Sequence, residues 1–449
     1  MSKNPAIKLS QTQRSDLTGF ATDALKSFEA GLLSNDRAWP DEADEFGFTF
    51  FNGLTVIFSR EYYEAEGSFT RLIAKILKAK AAHEPTIRIF VQEAAKAHVA
   101  AIVKGGDPAT LRPQAVSTLI ATVLDEVSKV YTHIEPNFLF VPNGHSGTIK
   151  LGRVRSMPLE ATATATPLSK FPALKLEAEQ FGVVKRENGI TTVGMVTMAW
   201  VVDVPATREN VTEEAKWLID VAVSLARLSS KHWSVRYPKL GDIELHPTRQ
   251  IDRTPRVTTD GEKWFLQRNK TPVVYDVSPL VAKDLAKADV QRIAELIFDP
   301  SANSLALRVS QGLGWLTRGR QASDRSERLL SFFTALEALL TSNNSSDPVT
   351  QTISRHVSVI WSSKIADRVA LYNQVKSLYA LRSAVVHAGK REVLLHHVNS
   401  LQLIAETVFS IVLKNCDLSI SQDTFSQSLS DASHGAPWAF YKKARSKKR

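Results

Sequence analysis

Apolar residues recur at helical spacing through the first third of the chain. The stretches 11–33 and 68–82 mix apolar and polar positions, and from Val116 to Val130 apolar side chains return every three or four residues until Pro136 interrupts them. This spacing predicts helices that pack against one another.

Beyond Pro136 the pattern changes to that of β-strands. Short apolar runs occur at 138–141, 148–154 and 191–204, and Asp260-Gly261 separates two further runs in the manner of a tight hairpin. A helical segment around residues 217–225 follows the third run. Residues 1–275 are therefore predicted to form an N-terminal α+β domain, in which the pattern shows no chemical motif.

Helical spacing returns at Ser278-Pro279, a favourable helix start, and continues to about residue 414. Proline, glycine and polar clusters divide this part into the segments 280–298, 305–316, 328–340, 369–386 and 393–413. Such segments with short connections predict an all-α antiparallel bundle over residues 276–418. Residues 419–449 are predicted to form a basic, disordered tail.

Composition narrows the class of protein. The chain has 449 residues, of which 43% are hydrophobic and 23% charged, and this mixture excludes fibrous and globally disordered proteins. Its single cysteine, Cys416, cannot form an internal disulfide. No run approaches the roughly 18–20 apolar residues of a membrane helix, and the first residues lack the apolar core of a signal peptide. We therefore expect a cytoplasmic protein that does not bind membranes.

The net charge of +10 is concentrated in the last third of the chain. Residues 301–417 contain 13 basic and 8 acidic residues, and residues 418–449 contain six and two. These two segments carry +5 and +4, which leaves +1 for the first 300 residues. A polyanion is the partner that this distribution predicts for the C-terminal third.

The first candidate for chemistry within the bundle is Glu337. Phe333, Glu337 and Leu340 form one stripe at spacings of four and three on the apolar face of a predicted helix. A carboxylate in that position is desolvated unless a cation meets it. The pattern therefore calls for an arginine partner.

The second candidate is the pair Arg382 and His387. These residues are five positions apart, about 140° on an ideal helix, whereas Ser383 and His387 stand one turn apart on the same face. A guanidinium holds phosphate oxygens in a fixed fork and histidine exchanges protons near neutral pH, so the pair suits phosphate chemistry. The residues alone also allow Arg382 as a structural partner of Glu337 and His387 as a cation at a helix C-terminus.

Three parts of the stretch 305–413 match a known family together. They are Gly314-Trp315-Leu316, the run 327–340 that contains Glu337, and Tyr379 followed by the Arg-x4-His motif of Arg382 and His387. In these parts the chain resembles the HEPN domain, in particular the Apea-like HEPN group. The resemblance covers about a quarter of the chain.

This resemblance implies a metal-independent endoribonuclease that acts as a toxin or abortive-infection effector in antiviral defence against phage. It also implies a homodimer in which two Arg/His motifs face one cleft. The RNA 2′-hydroxyl would attack its own 3′-phosphate and leave a 2′,3′-cyclic phosphate and a 5′-hydroxyl. His387 would act as general base or acid, and Arg382 would stabilise the charge on the non-bridging oxygens.

Supporting roles follow from the same resemblance. Ser383 stands where several HEPN enzymes have Asn, Asp or His, and it is assigned an orienting role. Glu337 is expected to hold Arg382, and Tyr379 either packs or contacts the substrate. No metal and no cofactor are expected.

Three lysines and one arginine are predicted to contact RNA. Lys390 and Arg391 follow the motif directly, and Lys442 and Lys443 lie among aromatic residues in the tail. A solvated terminus without a role in binding is the alternative for the tail. The pattern does not distinguish tRNA, mRNA and ribosomal RNA as the target, nor does it identify a phage-derived trigger.

Two alternatives to the nuclease stay open. One is a non-catalytic HEPN module that serves as a dimerisation or nucleic-acid-binding scaffold, and the other is an enzyme whose site lies within residues 1–275.

Two further sets of residues are candidates for chemical sites. Adjacent helical residues point about 100° apart, so His396 and His397 are predicted to be core or interface residues rather than metal ligands. Cys416 is predicted to be a small, half-buried residue rather than a nucleophile.

Overall fold

A computed structural model describes most of the chain. The described residues are 9–33, 47–49, 55–57, 60–76, 84–145, 147–158, 182–187, 190–195, 198–234, 244–246, 256–259, 261–267, 273–341 and 348–438.

Helices α1 to α14 are formed within these ranges. They are α1 (Gln11–Leu33), α2 (Arg60–Ile76), α3 (Glu84–Val103), α4 (Pro108–Ser128), α5 (Val211–Ser229), α6 (Lys231–Ser234), α7 (Pro279–Leu285), α8 (Ala288–Phe298), α9 (Leu305–Gln321), α10 (Arg325–Leu340), α11 (Val349–Trp361), α12 (Ile365–Ala388), α13 (Leu395–Asn415) and α14 (Gln422–Ser433). The predicted class is confirmed, since an α+β N-terminal region is followed by the all-helical region α7–α14.

The described ranges also contain strands β1 to β12. They are β1 (Gly47–Thr49), β2 (Thr55–Ile57), β3 (Tyr131–Pro136), β4 (Phe140–Pro142), β5 (Ile149–Leu151), β6 (Val154–Pro158), β7 (Gly182–Glu187), β8 (Ile190–Met195), β9 (Met198–Val204), β10 (Arg256–Thr259), β11 (Trp264–Gln267) and β12 (Tyr275–Val277).

Two compact units divide the chain. One contains residues 1–133 and 203–215, and the other contains residues 134–202 and 216–449. In the first unit, helices α1 to α4 share an apolar core to which α1 contributes one face, with side chains that are fully buried at helical spacing: Leu17, Ala21, Ala24, Leu25 and Phe28.

A buried polar group also links three helices of the first unit. The carboxylate of Glu29 in α1 accepts hydrogen bonds from Arg112 in α4, and its Oε1 lies 2.6 Å from Nε2 of the buried His98 in α3. Burial raises the pKa of Glu29. The hydrogen bonds to Arg112 and His98 lower it by more than burial raises it, so the pKa lies below its ordinary value.

The β-strands, which the sequence predicts in this part of the chain, pair into short sheets. Strands β3, β9, β6 and β5 form a four-stranded sheet in that order, with β6 antiparallel to both β9 and β5. Strands β10 and β11 pair on either side of Asp260-Gly261 as predicted, but their last pair is Thr259 with Trp264, so four residues connect them rather than the two of the predicted hairpin. Strand β4 pairs with β12 in parallel.

Helix starts in the bundle are set by local capping. The Ser278 hydroxyl accepts a hydrogen bond from the Val281 N–H, with Pro279 in the first turn, as the sequence predicts. The predicted segment 280–298 is instead two helices, α7 and α8, and Lys287 is the extended N-cap residue between them.

Helix α11 was not predicted as a separate segment, although the buried Ile353, Val357 and Ile360 recur in it at spacings of four and three. Thr352, Ser354, His356 and Ser358 are buried in it beside aliphatic residues such as Val357. The serine and threonine hydroxyls donate to carbonyl oxygens of the preceding turn, as Ser354 Oγ does to the Thr350 carbonyl oxygen at 2.7 Å.

The predicted disorder of residues 419–449 is wrong for α14. The Ser421 hydroxyl accepts a hydrogen bond from the Thr424 N–H at 3.1 Å and so caps the helix. Phe425, Leu429 and Ala432 then bury one face of it completely, which supplies the apolar contact that orders this segment. Residues 439–449, with Lys442 and Lys443, lie outside the described part of the chain.

A buried ion cluster joins residues on both sides of position 275. It consists of Arg227, Glu244, Tyr275, Arg320 and Glu406, none of which is more than 9% exposed. Arg320 donates to both Glu244 and Glu406, and its Nη2 lies 3.1 Å from the Tyr275 hydroxyl. The boundary predicted at residue 275 is therefore not a boundary between the compact units.

Close packing of α9 gives a first prediction. A Cβ at Gly312 would overlap the ring of Phe409 in α13 and lie 3.0 Å from the Ala335 carbonyl oxygen in α10. We expect Gly312→Ala to lower the free energy of unfolding by about 1–3 kcal/mol through overpacking. Urea denaturation of the variant measures this, with Gly19→Ala as control because the Cβ position there is open. An unchanged denaturation midpoint would contradict the packing.

None of the helices in the described ranges is long and apolar enough to cross a membrane.

Candidate functional site

The end of helix α12 carries the predicted motif. The helix ends at Gly389, whose φ of 62° is the left-handed conformation that glycine adopts without strain, and its N–H donates to the Ala384 carbonyl oxygen. The Lys390 N–H reaches the same carbonyl oxygen at 3.2 Å. The chain therefore leaves the helix directly after the last turn, in which His387 lies.

Arg382 meets Glu337 of α10, as the sequence predicts. Arg382 Nη2 lies 3.4 Å from Glu337 Oε1, and each side chain is 23% exposed. The carboxylate is thus half-buried rather than fully desolvated. The guanidinium is not saturated, because its Nε is buried and has no hydrogen-bond partner in the described part of the molecule.

Tyr379 completes this group one turn earlier on α12. Its hydroxyl donates to Glu337 Oε1 at 2.9 Å, and the Arg382 guanidinium lies 5.4 Å from the centre of its ring. The ring also packs edge-on against Phe333, with 5.0 Å between ring centres. Burial and then the charge of Glu337 raise the pKa of Tyr379 to about 12, so the hydroxyl stays protonated and keeps donating.

His387 lies apart from this group. It is exposed in the last turn of α12, and among the described residues it has no hydrogen bond or ion pair. Because α12 is helical from Arg382 to His387, the two side chains leave its axis about 140° apart. The structure therefore places the histidine and the arginine of one chain on different faces of the same helix end.

An exposed face of α12 accompanies His387. Ser383 lies 18 residues after Ile365 and His387 lies 18 residues after Val369, so each pair is separated by five full turns. Ile365 and Val369 are 78% and 54% exposed. The histidine thus shares a face with large apolar side chains that the described part of the chain leaves uncovered.

Basic and imidazole groups follow the helix end. Lys390 and Arg391 are exposed directly after it. At the start of α13, the rings of His396 and His397 pack edge-on with 4.1 Å between their centres. Burial, then His396 and Lys390, lower the pKa of His397, which favours its neutral form.

The other sequence candidates occupy ordinary positions. His396 is exposed rather than buried in the core, and no group of three metal-binding side chains occurs among the described residues. Cys416 is half-buried, as predicted, and burial raises the pKa of its thiol to about 12, which favours the protonated form.

The structure also shows polar groups that the sequence did not single out. A half-exposed corner is formed by Trp217 and Trp315, with Arg318 between them at 4.7 Å and 5.3 Å from the ring centres. Arg318 Nε lies 3.3 Å from Asp220 Oδ2. The signal that could have found this corner is the short spacing of Trp315 and Arg318 on one helical turn.

Comparison with known proteins adds no relative: no family model, curated protein or solved structure matches this chain.

Proposed function

We propose that the protein is an endoribonuclease of the HEPN type that needs no metal and cleaves RNA through the attack of a 2′-hydroxyl on the adjacent phosphate. The observation that carries this proposal is the partial exposure and incomplete pairing of Arg382. Its guanidinium makes one ion pair with Glu337 and one ring contact with Tyr379, and the side chain is 23% exposed beside a helix end that also presents His387.

The contrast with Arg320 supports a functional rather than a structural role for Arg382. Arg320 is 1% exposed and donates to two carboxylates and a tyrosine hydroxyl. Arg382 is 23% exposed and makes one ion pair at 3.4 Å. An arginine whose task is to fix the fold is normally saturated with acceptors, whereas one that receives a phosphate must have donors to spare.

In the proposed mechanism, Arg382 stabilises the negative charge that grows on the non-bridging phosphate oxygens. Glu337 and Tyr379 position the guanidinium and touch no reacting atom. His387 moves a proton between the 2′-hydroxyl, the leaving 5′-oxygen and solvent. The bond from the 2′-oxygen to phosphorus forms, the bond from phosphorus to the 5′-oxygen breaks, and a 2′,3′-cyclic phosphate and a 5′-hydroxyl result.

A homodimer brings the two groups together in this proposal. Within one chain they diverge by about 140°, but an isologous interface lets His387 of one subunit face Arg382 of the other. The exposed face with Ile365, Val369, Ser383 and His387 is the surface we assign to this contact. Burying large apolar side chains there would favour the dimer.

The cellular role follows from the same family resemblance. We assign the protein to the cytoplasm as an anti-phage effector, with the N-terminal region as the part that responds to a trigger. Lys390 and Arg391 would hold the RNA backbone beside the helix end.

A substrate with one altered atom tests the proposed reaction. We expect the protein to cut an RNA oligonucleotide and to leave intact the same oligonucleotide with a 2′-deoxy sugar at the cleaved position, because that sugar lacks the nucleophile. The cut strand should carry a cyclic phosphate, which mass spectrometry distinguishes from a linear phosphate. Cleavage of the 2′-deoxy oligonucleotide at that position would refute the mechanism.

A second candidate function is a non-catalytic HEPN scaffold, and the Glu337–Arg382 ion pair is the observation that favours it. In a scaffold the pair serves only to join α10 to α12. Equal RNA binding and complete absence of cleavage for the wild type and for Arg382→Ala would support this role.

A further inference from the structure

A groove of about 690 Å³ lies in the first compact unit, between helices α1 and α4. Its volume is within the range of small-molecule sites in proteins. Arg14 and Lys26 line it from α1, twelve residues apart, so the groove extends about 18 Å along that helix. A site of this shape takes an elongated ligand.

The two helices run antiparallel beside the groove. Arg112, near the start of α4, donates to Glu29, near the end of α1, at 2.7 Å from its Nε. Lys26 is one turn before Glu29, so Lys26 and Arg112 lie at the same end of the groove. Arg14 and Leu124 lie towards the opposite end.

The middle of the groove is apolar. Val116 and Ile120 of α4 line it one turn apart, and Leu124 continues the apolar stripe towards the Arg14 end. The hydroxyls of Thr18 and Thr22 also line it, but they donate to carbonyl oxygens of their own helix, at 2.8 Å and 2.6 Å. Their donor capacity is therefore already used. Ser117 adds one exposed hydroxyl to the lining, but the aliphatic side chains favour a ligand that offers mainly hydrocarbon.

The charge of the lining has one sign. Its described residues include three cations, Arg14, Lys26 and Arg112, and no carboxylate. They also include no aromatic ring on which a nucleobase could stack. The buried Glu29 holds Arg112 in place, while Lys26 and Arg14 have no ion pair in the described part of the chain.

We infer that this groove binds a monomeric long-chain carboxylate, with its head group at Lys26 and Arg112 and its hydrocarbon chain along Val116, Ile120 and Leu124. The apolar middle accepts the chain. Lys26 supplies the uncompensated charge for the head group, and Arg112 has its Nη1 left, because its Nε and Nη2 are taken by Glu29. This site is independent of the proposed ribonuclease, because it lies in the other compact unit and involves none of the residues of α12.

Calorimetric titration of the full-length protein with dodecanoate, below its micelle concentration, tests the inference. We expect saturable binding of one dodecanoate per chain and at least tenfold weaker binding of hexanoate, because each buried methylene strengthens binding about fourfold. Dodecylamine, which has the same chain and the opposite charge, should not bind.

Variants locate the ligand within the groove. Lys26→Glu should weaken dodecanoate binding about tenfold, and Arg14→Glu should weaken it less, because only Lys26 is at the head-group end. Ala121→Phe, at an exposed position in the lining, should block the groove and abolish binding. Lys104→Glu, exposed and outside the lining, is the matched charge control and should bind as the wild type does.

Circular dichroism of each variant confirms that the helices remain folded. No dodecanoate binding by the wild type would overturn the inference, and so would equal binding by the wild type and Ala121→Phe. An acidic amphipathic peptide that binds with the same dependence on Lys26 and Ala121, while dodecanoate does not, would show that the groove serves a protein segment instead.

Discussion

Replacing His387 with alanine is expected to abolish the RNA cleavage that the wild type produces in cells, with a loss of about 10²–10⁴-fold, because proton transfer in the transition state would lose its carrier. The substitution should affect the cleavage step and leave the stability of the protein unchanged. His387 is exposed in the last turn of α12 and has no hydrogen bond or ion pair in the described part of the chain, so its removal should leave the fold intact.

Mapping of new 5′-hydroxyl RNA ends measures this effect, in cells that express each variant at matched soluble levels, with and without phage. His434→Ala is the matched control. His434 is likewise exposed at a helix C-terminus, as the C-cap residue directly after α14, and its substitution should leave cleavage unchanged. Ends that persist at wild-type level in the His387→Ala cells would rule out the proposed role.

The core of this candidate site could be predicted because each partner leaves a sign in the sequence. Glu337 interrupts an apolar stripe, and a carboxylate in such a place needs a cation. Arg382 stands in a motif on another predicted helix. The ion pair between them at 3.4 Å confirms that prediction. The donation from Tyr379 to Glu337 was not predicted, since the sequence does not show which way a ring on a half-buried turn faces.

The rest of the fold was harder to predict where packing relies on polar or distant groups. The spacing of Ile353, Val357 and Ile360 could have predicted helix α11, but not the burial of its serine, threonine and histidine side chains. The ion cluster joins Glu244, which lies outside the named helices and strands, to helices that lie far along the chain. Glu406 could have been noticed, because it interrupts the apolar run of α13 much as Glu337 interrupts that of α10.

The ion cluster gives the largest stability prediction. Arg320→Met would leave the carboxylates of Glu244 and Glu406 buried with Arg227 as their remaining cation in the cluster. An uncompensated buried charge costs several kcal/mol, so we expect the free energy of unfolding to fall by about 3–5 kcal/mol. Urea denaturation measures the change, and Arg325→Met at an exposed position of α10 should shift it by less than about 0.5 kcal/mol.

The pH dependence of stability should change in a defined direction. Burial raises the pKa of Glu244, but the charges of Arg320 and Arg227 outweigh burial and hold the pKa below its ordinary value of 4.5. The pairing therefore stabilises the wild type above that pH, and the stabilisation is lost as the pH falls through the lowered pKa. Arg320→Met removes one of the two cations, so its unfolding free energy should depend less on pH in this acidic range.

A double variant separates charge imbalance from lost packing. Arg320→Met combined with Glu406→Leu removes one charge of each sign and leaves Arg227 with Glu244. If imbalance is the main cost, the double variant should be more stable than Arg320→Met alone, since a buried pair replaced by apolar side chains often costs little. Additive losses from the two substitutions would show instead that Arg320 and Glu406 contribute independently. The two side chains would then stabilise the fold through their packing rather than through the balance of charge in the cluster.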